Sequence, residues 1–171
     1  MAFKRKFVEE VSLGKVPFDS DYFLYFEDSD LGWRIRLRGY RIIFVPSSTV
    51  YHYRAGCAST ASQYIGVFSF AKNRLSTLVK NYSLGNLFRV MPIVVLFETA
   101  SLTVFLPRQP LKALAKLRAL SWCLANLRQI WKKRLYVQTR IRSVGDSQIT
   151  RHMIRPNFQA ARRESVMLAS M

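Results

Sequence analysis

Residues 18 to 56 read FDSDYFLYFEDSDLGWRIRLRGYRIIFVPSSTVYHYRAG and hold five of the ten acidic residues, beside four closely spaced arginines and one of the two histidines. The aromatic run Tyr22, Phe23, Tyr25 and Phe26 delivers the chain to Glu27, Asp28 and Asp30. Adjacent carboxylates repel by about 4 kcal/mol at ~4 Å and an effective dielectric of about 20, so such a cluster calls for a cation, a metal or a helix N-terminus. From Asp30 to Arg38 apolar and basic residues alternate, which is the period of a half-buried strand. The ends of the segment argue for a short helix instead. Acids lead it, Arg36 and Arg38 close it, and Gly39 is placed to take a left-handed cap, so that each sign opposes the macrodipole. Ile42 to Val45 and Thr49 to Tyr53 then read as two short strands separated by Pro46 and two serines.

The order of these residues resembles the signature of inverting family 2 glycosyltransferases of the GT-A group, FDxxFFxYxEDxDLxxRxxxxGYxxxxxPxxxxxH. Phe18, Asp19, Phe23, Tyr25, Glu27, Asp28, Asp30, Leu31, Arg34, Gly39, Tyr40, Pro46 and His52 fall in register with it. KNRL at Lys72 to Leu75 and KNY at Lys80 to Tyr82 also look like the segment that follows in that family. The resemblance implies an α/β fold: the C-terminal part of a GT-A nucleotide-diphospho-sugar transferase domain, followed by a mainly helical region. It implies residues 1–56 as the acceptor side of that domain; apolar periodicity reads 57–137 as amphipathic and apolar helices, of a kind that docks the resembling enzymes at a membrane, and composition reads 138–171 as a basic polar tail with a short helix near Ser147 to Met153.

By the same resemblance, Asp28 is the general base that deprotonates an acceptor hydroxyl, a role typically worth ~10² to 10⁴ in rate. Asp28 stands at a helix mouth, where the dipole stabilises the negative charge that accepts a proton. Glu27 helps shape the acceptor site, and Asp30 with Arg34, four residues on, forms a supporting ion pair. His52 is a metal-facing candidate for Mg²⁺ or Mn²⁺, and Arg54, in the loop Arg54-Ala55-Gly56, is a candidate for the donor's phosphates. Such cations prefer oxygen ligands, so an imidazole is a secondary ligand. The plainer alternative for each residue is structural: acids capping a helix and a histidine ending a strand. Only seventeen residues precede Phe18, so a nucleotide-binding βαβ half with its DXD motif is expected on a separately encoded or upstream segment. Without it the chain is expected to be inactive towards a nucleotide-sugar donor and a glycan or lipid-linked acceptor.

Charge is unevenly distributed. Residues 1–30 carry four basic and seven acidic side chains, net −3, whereas the chain as a whole has 27 basic and 10 acidic residues, net +17. A basic bulk seeks phosphate, in nucleic acid or in anionic headgroups. No nucleic-acid-binding signature accompanies it, which disfavours nucleic acid. Met1 to Leu13 reads as a short amphipathic helix, and Ala58 to Tyr82 as a helix burying Tyr64, Phe68, Ala71, Leu75, Leu78 and Tyr82, with its lysines elsewhere.

Leu87 to Leu106 is the most apolar helix, bounded by Pro92 and Pro107 with Glu98 at its centre, and suits an interfacial or protein-packed role better than a membrane span. Pro110 to Val137 places Leu111, Leu114, Leu117, Leu120, Leu124, Leu127 and Trp131 on one side. Lys112, Lys116, Lys132 and Lys133 are then available either to anionic lipid on the cytoplasmic face of the membrane or, if the leucine side packs on the protein core, to solvent. A non-catalytic, basic, membrane-surface module is therefore the rival to the enzyme reading. Cys57 and Cys123 lack zinc or redox spacing.

Overall fold

The computed structural model describes residues 4–14, 16–51 and 60–151. Seven α-helices run in order through these: α1 Arg5–Val11, α2 Glu27–Leu37, α3 Thr60–Asn81, α4 Leu84–Arg108, α5 Pro110–Ala125, α6 Leu127–Tyr136 and α7 Asp146–Thr150, with a π-helical turn at Val137–Ile141. The described residues contain no β-strand, so the α/β expectation is corrected to an all-α architecture. The segment from Ile42 to Val45 carries strand-type residues, yet Ile43 and Phe44 are 77% and 86% exposed and no ladder forms. A strand exists only by pairing its N–H and C=O groups with a neighbour, and no described segment lies alongside to pair them. The second expected strand, Thr49 to Tyr53, shows no strand over its described part, and the rest of it lies outside the described residues.

Helix α2 forms because burial recurs at Asp30, Leu31, Arg34 and Ile35, a helical spacing that overrides the alternation of apolar and basic residues. Its end is a Schellman motif. Gly39, at φ +93°, donates its N–H to the Arg36 carbonyl at 2.9 Å, and Tyr40 donates to the Ile35 carbonyl at 3.1 Å. Leu31, Ile35 and Leu37 pack with Val11 of α1 and with Val137, Ile141 and Ile149. The stretch expected as a basic polar tail holds a short helix, α7, close to the one expected near Ser147 to Met153, and contributes Ile141 and Ile149 to this hydrophobic cluster.

Helix α3 runs through the middle of the molecule, against α2, α5 and α6. Its buried face differs from the apolar stripe expected. Ala71 and Leu75 are buried, but so are Ser69, Lys72, Asn73, Ser76, Thr77, Lys80 and Asn81. The centre of the fold is therefore a polar layer lying between the α2 cluster and a small apolar contact of Phe105 with Ala113. Helix α4 starts earlier than expected because Ser83 caps it, its hydroxyl accepting from the Asn86 N–H at 3.4 Å. Pro92 and Pro107 both lie inside it. The expected single helix from Pro110 to Val137 is divided at Asn126, whose side chain bonds back to the Trp122 carbonyl at 2.9 Å.

Candidate functional site

The acidic segment enters α2 through two aromatic residues in the left-handed region, Tyr25 at φ 64° and Phe26 at φ 67°. Residues with large side chains rarely adopt this conformation, which costs on the order of 1–3 kcal/mol each and persists only where the surroundings impose it. Here α3 imposes it. Asn73 donates its side-chain amide to the carbonyls of Leu24 and Tyr25, both at 2.8 Å. Phe70 meets the rings of Tyr25 and Phe26 edge-on, and a Cβ on Gly66 would come within 3.6 Å of the Tyr25 ring. Lys72 donates to the Asp21 carbonyl at 2.5 Å.

Below the turn lies a connected group of buried charges. Asp30 and Arg34 are both fully buried and form an ion pair, Nε to Oδ2, at 3.0 Å. The other Asp30 oxygen accepts from Asn81 at 2.9 Å and lies 3.1 Å from the Lys80 ammonium. Arg34 also donates to the backbone carbonyls of Val11 and Pro17, tying α1 and the following loop to α2. Asp19 is held by Lys80 and Lys133, and Lys133 reaches Asp21 at 2.7 Å. Burial alone would raise the Asp19 carboxyl, but the two ammonium groups outweigh it and lower it to about 2. Tyr22, buried beside them, donates its hydroxyl to the Asn73 carbonyl at 3.1 Å.

The expected site residues are thus sorted by environment. Asp28 is exposed in the first turn of α2, where its Oδ1 accepts from the Ser29 N–H at 2.6 Å. Glu27 precedes it with Oε2 buried and no hydrogen-bond partner among the described residues. Asp30 and Arg34 lie beneath, without access to solvent. His52 and Arg54 lie outside the described residues. No group of three or more His, Cys, Asp and Glu side chains that could hold a metal occurs among the described residues. The carboxylates that do approach one another, Asp19, Asp21 and Asp30, are neutralised by Lys80, Lys133 and Arg34 and offer no vacant charge to a hard divalent cation. The described residues therefore do not fit a Mg²⁺ or Mn²⁺ site.

What sequence reasoning missed is the source of the bracing. Two Lys-Asn pairs, Lys72-Asn73 and Lys80-Asn81, are eight residues apart, a little over two helical turns, so one side of α3 carries both. Each pair grips the acidic segment. The repeat of Lys-Asn at helical spacing was the available signal. Comparison with family models, with curated proteins and with solved structures finds no match for the chain.

Proposed function

We propose that this chain supplies the acceptor-binding, general-base part of an inverting glycosyltransferase, moving a sugar from a nucleotide-sugar donor to a glycan or lipid-linked acceptor. The observation that carries this reading is the setting of Asp28: an exposed carboxylate at a helix start, on a strained turn that buried groups hold in place. An acceptor hydroxyl hydrogen-bonded to Asp28 loses its proton to a carboxylate oxygen as its own oxygen attacks the anomeric carbon. The glycosidic bond forms on the face opposite the departing nucleoside diphosphate, which leaves with the bonding electron pair. Glu27, with one oxygen lacking a described partner, lines the acceptor side. Asp30 and Arg34 are positioning residues, since neither can touch substrate from where it is buried.

In this reading a donor-binding half, on another segment or polypeptide, completes the enzyme. The test is a transfer assay on the chain joined to or co-expressed with that half. Asp28→Asn should lower kcat by ~10² to 10⁴ with donor KM nearly unchanged. Full activity of the variant would remove the general-base assignment.

A further inference from the structure

The layer built by α4, α5 and α6 is turned inside out relative to a helix bundle in water. On α5 the buried residues are Lys112, Ala113, Ala115, Lys116 and Ala119, while Leu111, Leu114 and Leu117 are about half exposed. On α4, Glu98 is buried, whereas Phe88, Ile93, Leu96, Val104 and Leu106 face outward, Leu96 at 71% exposure. This corrects the sequence reading, in which Lys112 and Lys116 faced lipid phosphates. Each large apolar side chain left in water forfeits about 1.5–3 kcal/mol of burial. Large apolar side chains exposed in this number on adjoining helices mark an interaction surface.

The buried charges are matched inside the protein. Glu98 is gripped by Arg74 of α3 and lies 2.6 Å from the Lys116 ammonium, which also donates to Ser101. From Leu84 to Ile141 the sequence has no other acid. Among charged residues, the outer surface of these helices therefore presents only cations beside its leucines and phenylalanine: Arg89, Arg108, Arg118, Arg128 and Lys132 are all exposed. That pairing complements an anionic bilayer, whose acyl boundary accepts the apolar side chains while its phosphates meet the guanidinium groups. A second copy of the chain fits poorly, because it would bring the same positive charge against this face.

Helix α4 has 25 residues, about 37 Å at 1.5 Å per residue and enough to cross a hydrocarbon core of ~30 Å. Its attachments say otherwise. Glu98 ties its middle to α3 and α5, and Asp146 takes hydrogen bonds from the Ser83 N–H and the Asn86 amide at its start. Standing α4 upright across a membrane would break both attachments and expose Glu98 to hydrocarbon.

We propose that the outward faces of α4 and α5 insert into the boundary between headgroups and acyl chains of an anionic membrane, with the helices lying in its plane. The proposal is independent of the sugar-transfer reading. The test is flotation of the purified chain with vesicles of phosphatidylcholine, alone or mixed with phosphatidylglycerol. Binding is expected on the anionic vesicles and should weaken with salt without vanishing, because the apolar contribution is unscreened. Replacing Leu96, Val104 and Leu114 together by Gln should lower binding at least about tenfold and leave the thermal melt unchanged, since all three are exposed. Absence of wild-type binding at every lipid composition would overturn the proposal, as would undiminished binding by the triple variant. Two further results would also overturn it. One is a wild-type dimer that the same substitutions dissociate, which would make this face a self-interface. The other is resistance to carbonate extraction with protease access from both sides of the vesicle, which would make α4 a span.

Discussion

The side-chain amide of Asn81, at the end of α3, donates to Oδ1 of Asp30 in the first turn of α2 at 2.9 Å, while Arg34 holds the opposite oxygen at 3.0 Å. Asp30 is thus a shared acceptor for two helices, in a place no water reaches. Arg34→Met would leave Asp30 with fewer compensating groups and should cost about 3–5 kcal/mol, seen as a fall in Tm of roughly 2–4 °C per kcal/mol. Asp30→Leu with Arg34→Met should be milder than Arg34→Met alone, because no charge of the pair is stranded. A loss in the double variant equal to the sum of the losses of Arg34→Met and Asp30→Leu measured singly would show that the pair is not coupled.

Asp19 governs the response to acid. Its folded-state carboxyl titrates at about 2, below the ordinary unfolded value near 3.9. Its contribution, about 2–3 kcal/mol, is therefore fully present above about pH 4 and lost as pH falls towards 2. Denaturant unfolding measured across that window should show stability declining in the wild type. In Asp19→Asn the decline should be shallower, from a lower starting stability. Parallel curves for the two proteins would argue against the assignment.

Asn73→Ala removes both hydrogen bonds to the left-handed turn, and two partly buried carbonyls lose their donor. A cost of about 1–3 kcal/mol is expected, with faster amide exchange at residues 24–28. If the sugar-transfer reading proposed above holds, kcat of the assembled enzyme should fall more than donor KM changes. A slow-exchanging turn in this variant would mean that the Phe70 contacts alone hold it.

Glu98→Ala should destabilise the chain by about 3 kcal/mol or more, since Arg74 and Lys116 keep their charge and lose the carboxylate between them. Glu98→Gln, which keeps the shape and hydrogen bonding, should recover part of this. Thermal melting of the two variants checks the order; identical melts would mean that the lost charge alone sets the cost and that shape and hydrogen bonding add nothing.

The legible parts of the fold were those set by short-range rules. Acids before and arginines after an apolar core, with Gly39 behind, specify α2 and its cap locally, and the four-residue spacing of Asp30 and Arg34 specifies their contact. The illegible parts depended on what lies across the fold. Ile42 to Val45 has the composition of a strand, but composition does not supply the neighbour a strand requires. The buried faces of α3 and α5 were misjudged for one reason: hydropathy assigns lysine to water, whereas Lys80, Lys112 and Lys116 are buried, and the carboxylates beside Lys80 and Lys116 are remote in sequence. Of the candidate site, Glu27, Asp28, Asp30 and Arg34 are singled out by the family resemblance, whereas their spacing alone favours simple helix capping; their division into an exposed acid and a buried pair required the packing of α3.

The braces of the acidic turn come from far along the chain: Asn73 is 49 residues from Leu24, Lys80 is 61 from Asp19, and Lys133 is 114 from Asp19. Closing such loops must precede the contacts that reward it. The strained conformation at Tyr25 and Phe26 therefore depends on α3, whose Asn73 and Phe70 hold it, while α6 holds the preceding Asp19 and Asp21 through Lys133. A chain that ends before Lys133 would carry Asp19 and Asp21 without the ammonium group that pairs with them, so that the acidic segment and the far end of the helical region are stable only together.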